Sequence, residues 1–198
     1  MTTKILAIDP GTSKSGWCYM EKGIPVEWGW TANEEMYALI NKFQVPLVIE
    51  DIVNFGMPSG KDVFTTVRWT GRFDRHAEAS ALPCTYITRT EVKLAVCESP
   101  RANDSTIRQA LIDRYGGDEK AIGGKKCQTC KGKGWTGREH TLCQDCHCTV
   151  DVFNNLHPGN TVSDRGCGHQ THPGVLHGIS GHVWSALAVG VTYLDTHK

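Results

Sequence analysis

Apolar and polar positions along the chain change period in a way that separates it into elements. Lys4-Ile5-Leu6-Ala7-Ile8 is a short apolar run that ends in Asp9 and breaks at Pro10-Gly11. Residues 3–9, 15–20 and 24–30 read as three strands of a meander, the last two joined across Glu21-Lys22-Gly23. A helix is predicted over 33–44, with Asn33 as its N-cap and Glu34 and Glu35 in its first turn. Pro46-Leu47-Val48-Ile49 then reads as a buried strand, and it too ends in acid, at Glu50-Asp51. Residues 60–80 predict a long helix with two unlike faces. Lys61, Arg68, Arg72 and Arg75 fall on one stripe, and Val63, Thr66, Val67, Thr70 and Phe73 fall opposite. After Pro83 come a strand at 84–88, a short helix at 90–97 and a helix from Asp104 to Tyr115, closed by Gly116-Gly117.

Beyond Gly117 the periodicity disappears. Gly, Cys, His and Lys dominate to about Gly174, the pattern of an inserted module rather than of a continued core. Regularity returns at Gly178, where Ile179 to Val189 opens a helix, apolar nearly all round, that runs to Tyr193 or Asp195 and should pack on the sheet. The expected organisation is a core over 1–116, a Cys/His-rich insertion over 117–175, and a return to the core over 176–198. A length of 198 residues suits one domain carrying such an insertion.

Composition changes this picture in three places. Lysine plus arginine and aspartate plus glutamate number 21 each, so no whole-molecule field recruits a polyanion and any nucleic-acid surface has to be a local patch. No charged-then-apolar leader opens the chain and no apolar run reaches the roughly 18 residues of a membrane span, which leads us to expect a cytoplasmic protein. Nine cysteines without an export signal, most of them between Cys127 and Cys167, point to metal rather than disulfides.

Two sites of candidate chemistry follow. Asp9 and Glu50 each end an apolar strand, the way a carboxylate is presented to a shared metal. The Asp9-Pro10-Gly11 turn fits a Mg2+-dependent nuclease of the ribonuclease H-like fold, an actin-like ATPase, or an aspartate that merely opens a β-turn. A second lobe and a further glycine-rich phosphate loop are missing, which disfavours the ATPase. The other site is Cys127-Gln-Thr-Cys130 with Cys143-Gln-Asp-Cys146, two chelating pairs whose four thiolates make a closed tetrahedral Zn2+ shell, structural rather than catalytic. Its Cys-x-x-Cys-x-Gly-x-Gly string resembles the zinc repeats of the DnaJ-type cysteine-rich domain. A second zinc site is open to Cys148, Cys167, His169 and His172, with His147 or His157 as substitutes, and Lys120, Lys125, Lys126, Lys131 and Lys133 make the insertion an additional candidate grip on nucleic acid.

The order of elements, with Ile8-Asp9-Pro10-Gly11-Thr12 and Gly16, Val48-Ile49-Glu50, Val92-Lys93 and His182 ahead of Ala186-Leu187-Ala188-Val189, resembles the RuvC-type Holliday-junction resolvases, and phage-encoded members most. That resemblance implies an α/β, ribonuclease H-like fold, a mixed five-stranded sheet flanked by helices, here with an inserted zinc-binding module. It implies a homodimer in which two Mg2+ (or Mn2+) ions per site cut symmetric strands of a four-way DNA junction. By the same resemblance Asp9, Glu50 and His182 become metal ligands and Lys93 a phosphate or scissile-strand contact. The basic stripe Lys61, Arg68, Arg72, Arg75, together with Arg101, is the expected DNA surface. The chain departs from the family where a second acid is usual one turn after His182: Ser185 stands there, and Asp51, Asp104 or Asp195 are the possible replacements. The usual aromatic wedge has no counterpart beyond Phe55 or Met57. The rival from another class is a catalytically weak junction-binding protein with a structural zinc module.

Overall fold

The alternating runs at the N-terminus form an antiparallel meander, β1 (Lys4–Asp9), β2 (Lys14–Glu21) and β3 (Ile24–Ala32), and two parallel strands, β4 (Leu47–Asp51) and β5 (Cys84–Thr88), complete a mixed sheet of order β3-β2-β1-β4-β5. Helix α1 (Met36–Phe43) connects β3 to β4, and α2 (Lys61–Ala79) is the crossover between β4 and β5. After β5 come α3 (Arg89–Cys97), α4 (Asp104–Arg114), the single turn α5 (Asp118–Ala121), a ladder of β6 (Trp135–Thr136) with β7 (Thr141–Leu142), and α6 (Val183–Thr196). This computed structural model describes residues 4–53, 56, 58–123 and 174–197, with the backbone of 135–136 and 141–142. Among the described residues no helix is long and apolar enough to cross a membrane.

The pleat of each strand sends alternate side chains to opposite faces. Leu6 and Ile8 of β1, Trp17 and Tyr19 of β2, and Leu47 and Ile49 of β4 turn to one face, where they bury against Met36 and Ile40 of α1 and Phe73 and Ala77 of α2. Aromatic rings thicken this layer: Tyr19 stacks on Phe43 at 4.2 Å between centroids, and Tyr37, Trp69 and Phe73 meet at 5.9 to 6.5 Å. The other face belongs to α6, which packs on β1, β2 and β4 with α3 beside it. Its approach is close because residue 190 is glycine; a Cβ there would meet Met20 Sδ at 2.5 Å and Ala7 Cβ at 3.1 Å.

The chain divides into two units, Met1–Leu111 with Ile179–Lys198, and Ile112–Gly178. In the second, Leu176 N–H donates to Ala121 O at 2.8 Å, both residues are buried, and Gly174 sits where any Cβ would run into the Ala121 carbonyl.

Three sequence expectations about elements need correction. Asn33 does not cap α1, which begins three residues later after Glu35; the Asn33 side chain is taken up by the loop after β1, described below. The last helix begins at Val183 rather than Ile179, because Gly178 (φ 86°) and Gly181 (φ 51°) adopt left-handed backbone and turn the chain into the helix. On α2, Val67 is 46% exposed rather than facing the core, and Thr66, Thr70, Phe73 and Ala77 form the buried stripe.

Candidate active site

Asp9 and Glu50 meet by strand register. Ala7 pairs with Val48 and Ile8 with Ile49 in parallel, so two residues on from the first pair Asp9 and Glu50 lie at the carboxyl ends of adjacent strands, on the α6 face. The loop that follows Asp9 is fixed from beneath. Asn33, fully buried, donates from Nδ2 to Gly11 O at 3.0 Å and accepts from Ser15 Oγ at 2.7 Å, while its N–H donates to Ser13 O at 3.0 Å. A Cβ at residue 11 would collide with Lys14 O, so only glycine allows this turn.

His182 arrives as the residue before α6. Its Nδ1 lies 3.2 Å from Asp9 Oδ2, and its ring stacks at 6.0 Å and 18° on Trp30 of β3. Gly16 makes room for it, since a Cβ there would stand 2.6 Å from His182 O. Ser185, one turn on, brings its hydroxyl close enough to the Asp9 carboxylate to favour its charged form.

On the other flank stands Arg89, which the sequence reading missed. Its Nη1 is 3.6 Å from Glu50 Oε1, and its Nη2 pairs with Asp104 at the start of α4. A local signal does exist: Thr88 and Glu91 form a capping box, Thr88 Oγ1 accepting from Glu91 N and Glu91 Oε2 from Thr88 N. That box fixes the start of α3 at Arg89, at the end of the strand that neighbours Glu50.

Burial dominates the electrostatics. The Asp9 and Glu50 side chains are only 15% and 14% exposed. Burial pushes the Asp9 carboxyl up, against the pull of His182, Arg89 and the Ser185 hydroxyl. Glu50 is pushed up to about 7, by burial first and by the charge of Asp9 second, with Arg89 opposing and Asp104 adding to the rise. Glu50 Oε2 and Arg89 Nη1 are both buried without a hydrogen-bond partner. Such orphaned groups carry an uncompensated desolvation cost, on the order of 1–3 kcal/mol each, unless a ligand satisfies them.

Among the described residues no three His, Cys, Asp or Glu side chains are grouped into a complete cation cage. Asp9 and His182 touch, whereas Glu50 faces Arg89. The donors nevertheless suit a hard divalent ion. Mg2+ keeps several waters and is often held by one or two carboxylates, and Glu50 offers a buried oxygen with no other use.

The remaining sequence candidates are scattered. Lys93 is half-buried on α3, one turn beyond Arg89 and on the same helix face. Lys61, Arg68, Arg72 and Arg75 are all exposed on α2; Arg72 stacks on Trp69 at 4.4 Å and Arg75 pairs with Glu78 at 2.6 Å. As a crossover, α2 runs back from the end of the sheet that holds Glu50, so Lys61 lies nearest the carboxylates and Arg75 about 21 Å further along the axis. Arg101 is exposed in the turn before α4. Of the three acids suggested to replace Ser185, Asp51 has the wrong parity, turning to the α2 face where its charge acts on Tyr86. Asp195 lies ten residues beyond Ser185 on α6, about 15 Å away along the axis. Asp104 alone reaches the cluster, through Arg89. Cys127, Cys130, Cys143, Cys146, the second set of cysteines and histidines, Phe55 and Met57 lie outside the described residues.

The fold that carries these acids is a five-stranded mixed sheet flanked by helices. Two solved structures of Thermus thermophilus RuvC share it. One, in complex with a Holliday junction substrate, aligns over 98% of this chain and 94% of its own at a TM-score of 0.55. The other, a further structure of that RuvC, aligns over 98% of this chain and 97% of its own at 0.56. Both are 10% identical to this chain, so the likeness is one of fold. No family model and no curated protein matches the sequence.

Proposed function

We propose that the chain is a divalent-metal-dependent endonuclease that hydrolyses phosphodiesters in branched DNA, with four-way junctions as its substrate. The observation that carries this reading is the buried pair Asp9 and Glu50 at the sheet end, one with an orphaned oxygen, beside the imidazole of His182. The fold shared with RuvC, one structure of which holds a Holliday junction, supports the choice of substrate.

In this reading Asp9, Glu50 and His182 would hold Mg2+ or Mn2+. The metal, when bound, supplies Lewis-acid activation of the phosphate and of the attacking water. Asp9 and Glu50 must shed the protons that burial favours, and Arg89 assists by stabilising the Glu50 carboxylate. Arg89, partly exposed, also offers its guanidinium to a phosphate oxygen, with Lys93 one turn behind it on the same strand of DNA. His182, 66% exposed with Nδ1 facing Asp9, offers its other ring nitrogen to the metal. Lys61, Arg68, Arg72, Arg75 and Arg101 hold the DNA arms. A homodimer would supply two symmetric cuts, the three ligands would serve two ions per site, and a zinc ribbon built on Cys127, Cys130, Cys143 and Cys146 would occupy the 117–175 insertion between the core segments 1–116 and 176–198. A phage-type protein acting in recombination or repair in a host cytoplasm fits this set.

The second reading, a junction binder that cuts weakly, is favoured by Ser185, whose hydroxyl is engaged with Asp9 and replaces an acid. A labelled mobile four-way junction with Mg2+ or Mn2+ separates the two. We expect paired symmetric nicks from the parent, none above background from Asp9→Asn with junction affinity kept, and a gain from Ser185→Asp. A parent that binds without nicking, with activity appearing only in Ser185→Asp, leaves the second reading standing.

A further inference from the structure

The row of cross-strand partners that contains Asp9 continues past it. Asp9 pairs with Gly16, and Gly16 with Trp30, so Asp9 and Trp30 project from the same face, two strand spacings or about 10 Å apart. Trp30 is 56% exposed on the edge strand, whereas Trp17 and Trp184 are buried at 7% and 9%. The Lys14 ammonium sits 4.6 Å from the Trp30 ring centroid. His182 meets the indole in an offset stack, which holds the ring in place while leaving more than half of the residue open.

An exposed indole with a cation at its ring is the combination on which an unstacked base rests while its phosphate is neutralised. Its position gives it meaning. Arg89 and Lys93 lie on the β5 side of the carboxylates, and Trp30 with Lys14 lies on the β3 side. A strand crossing the sheet end from β5 to β3 would meet cations, then the paired acids, then an aromatic surface carrying a second cation. The chain has no net charge, so the presence of cations on both sides of its acids is a local arrangement.

We propose that Trp30 and Lys14 form a nucleotide platform for the cutting site: the indole stacks the base of the nucleotide next to the scissile phosphate, and Lys14 pairs with that nucleotide's phosphate. The platform rests on the nuclease reading above and adds to it a substrate-contacting surface on the strand β3 side. It takes an unstacked nucleotide, the state of bases at a branch point, rather than duplex DNA, whose bases have no open π-face.

The test measures binding of a labelled four-way junction in calcium by the parent, Trp30→Ala, Trp30→Phe and Lys14→Ala. It adds photocross-linking of junctions carrying 5-iodouracil one nucleotide to either side of the scissile phosphate. The expected result is a loss of affinity of roughly ten-fold to a hundred-fold in Trp30→Ala, most of it restored in Trp30→Phe. A smaller loss with a shallower salt dependence is expected in Lys14→Ala, and a cross-linked peptide that contains Trp30. Unchanged affinity in Trp30→Ala with the cross-link elsewhere overturns the platform. So does unchanged affinity with a higher metal requirement for cleavage, which would make Trp30 only a support for His182. In either case a parent that still nicks junctions leaves the nuclease reading intact. A parent that neither binds nor nicks them defeats that reading, and the platform with it.

Discussion

The two faces of the central sheet are built from the same strands and are packed differently. Toward α1 and α2, β1 sends Leu6 and Ile8, β2 sends Trp17 and Tyr19, and β4 sends Leu47 and Ile49, into a layer thick with aromatic rings. Toward α6 the same strands send Ile5, Ala7 and Asp9, Gly16, Cys18 and Met20, Val48 and Glu50, an apolar layer that gives way to acids at the strand ends and over which a helix containing Gly190 packs closely. Both faces gather apolar area that offsets chain entropy. The α6 face also buries two carboxylates and leaves Glu50 Oε2 without a partner, which costs stability. Period-two alternation lets a single strand contribute to both, so that the aromatic layer and the chemistry are separated by parity rather than by distance.

The comparison can be broken by substitutions on each face. Phe73→Ala, in the aromatic layer, should cost about 3–5 kcal/mol in denaturant unfolding while the metal dependence of cleavage stays as in the parent; a matching loss of metal affinity would show the two faces to be coupled. Next in size is the pH dependence of the acidic face. Glu50 binds its proton more tightly in the folded chain, near 7, than at its ordinary value of 4.5, so in chelator-treated protein stability falls as pH rises from about 4.5 to about 7. Asp9, also raised, adds to the fall. Glu50→Gln should flatten this profile and stabilise the metal-free protein at pH 8 by up to about 3 kcal/mol, as read by unfolding midpoints across pH. A profile identical to the parent's would remove Glu50 as its source. The smallest stability effect belongs to the basic stripe, on the solvent side of the core helix. Arg68→Ala with Arg72→Ala should move stability by no more than about 1 kcal/mol. It should also lower the slope of junction affinity against salt by about 0.9 for each phosphate contact removed.

The strands, their order in the chain and the acids at their ends were legible because alternation and breakers are local signals. Pro10-Gly11, Gly23 and Pro83 punctuate runs whose length and parity are plain in the sequence. Boundaries that depended on competing partners were not. Asn33 has the chemistry of a cap, but Ser15 and Gly11 claim its side chain from 18 and 22 residues away. The last helix starts late because two glycines take left-handed backbone, which an apolar pattern does not register. Arg89 was overlooked in favour of Lys93, although the capping box at Thr88 and Glu91 marks where the arginine sits.

By itself, then, the sequence determined which residues are apolar at which period, and hence the elements, the two faces of each strand, and that Asp9 and Glu50 end strands. Only the tertiary structure decided that β1 and β4 are neighbours in parallel register, which turns two distant acids into one cluster. It alone brought His182 and Ser185 to Asp9, Arg89 to Glu50 and Trp30 into the same row. The physical reason is range: periodicity, capping and turn preference act over a few residues, whereas strand pairing and the burial that raises Glu50 toward 7 act between groups that meet only once the sheet has formed.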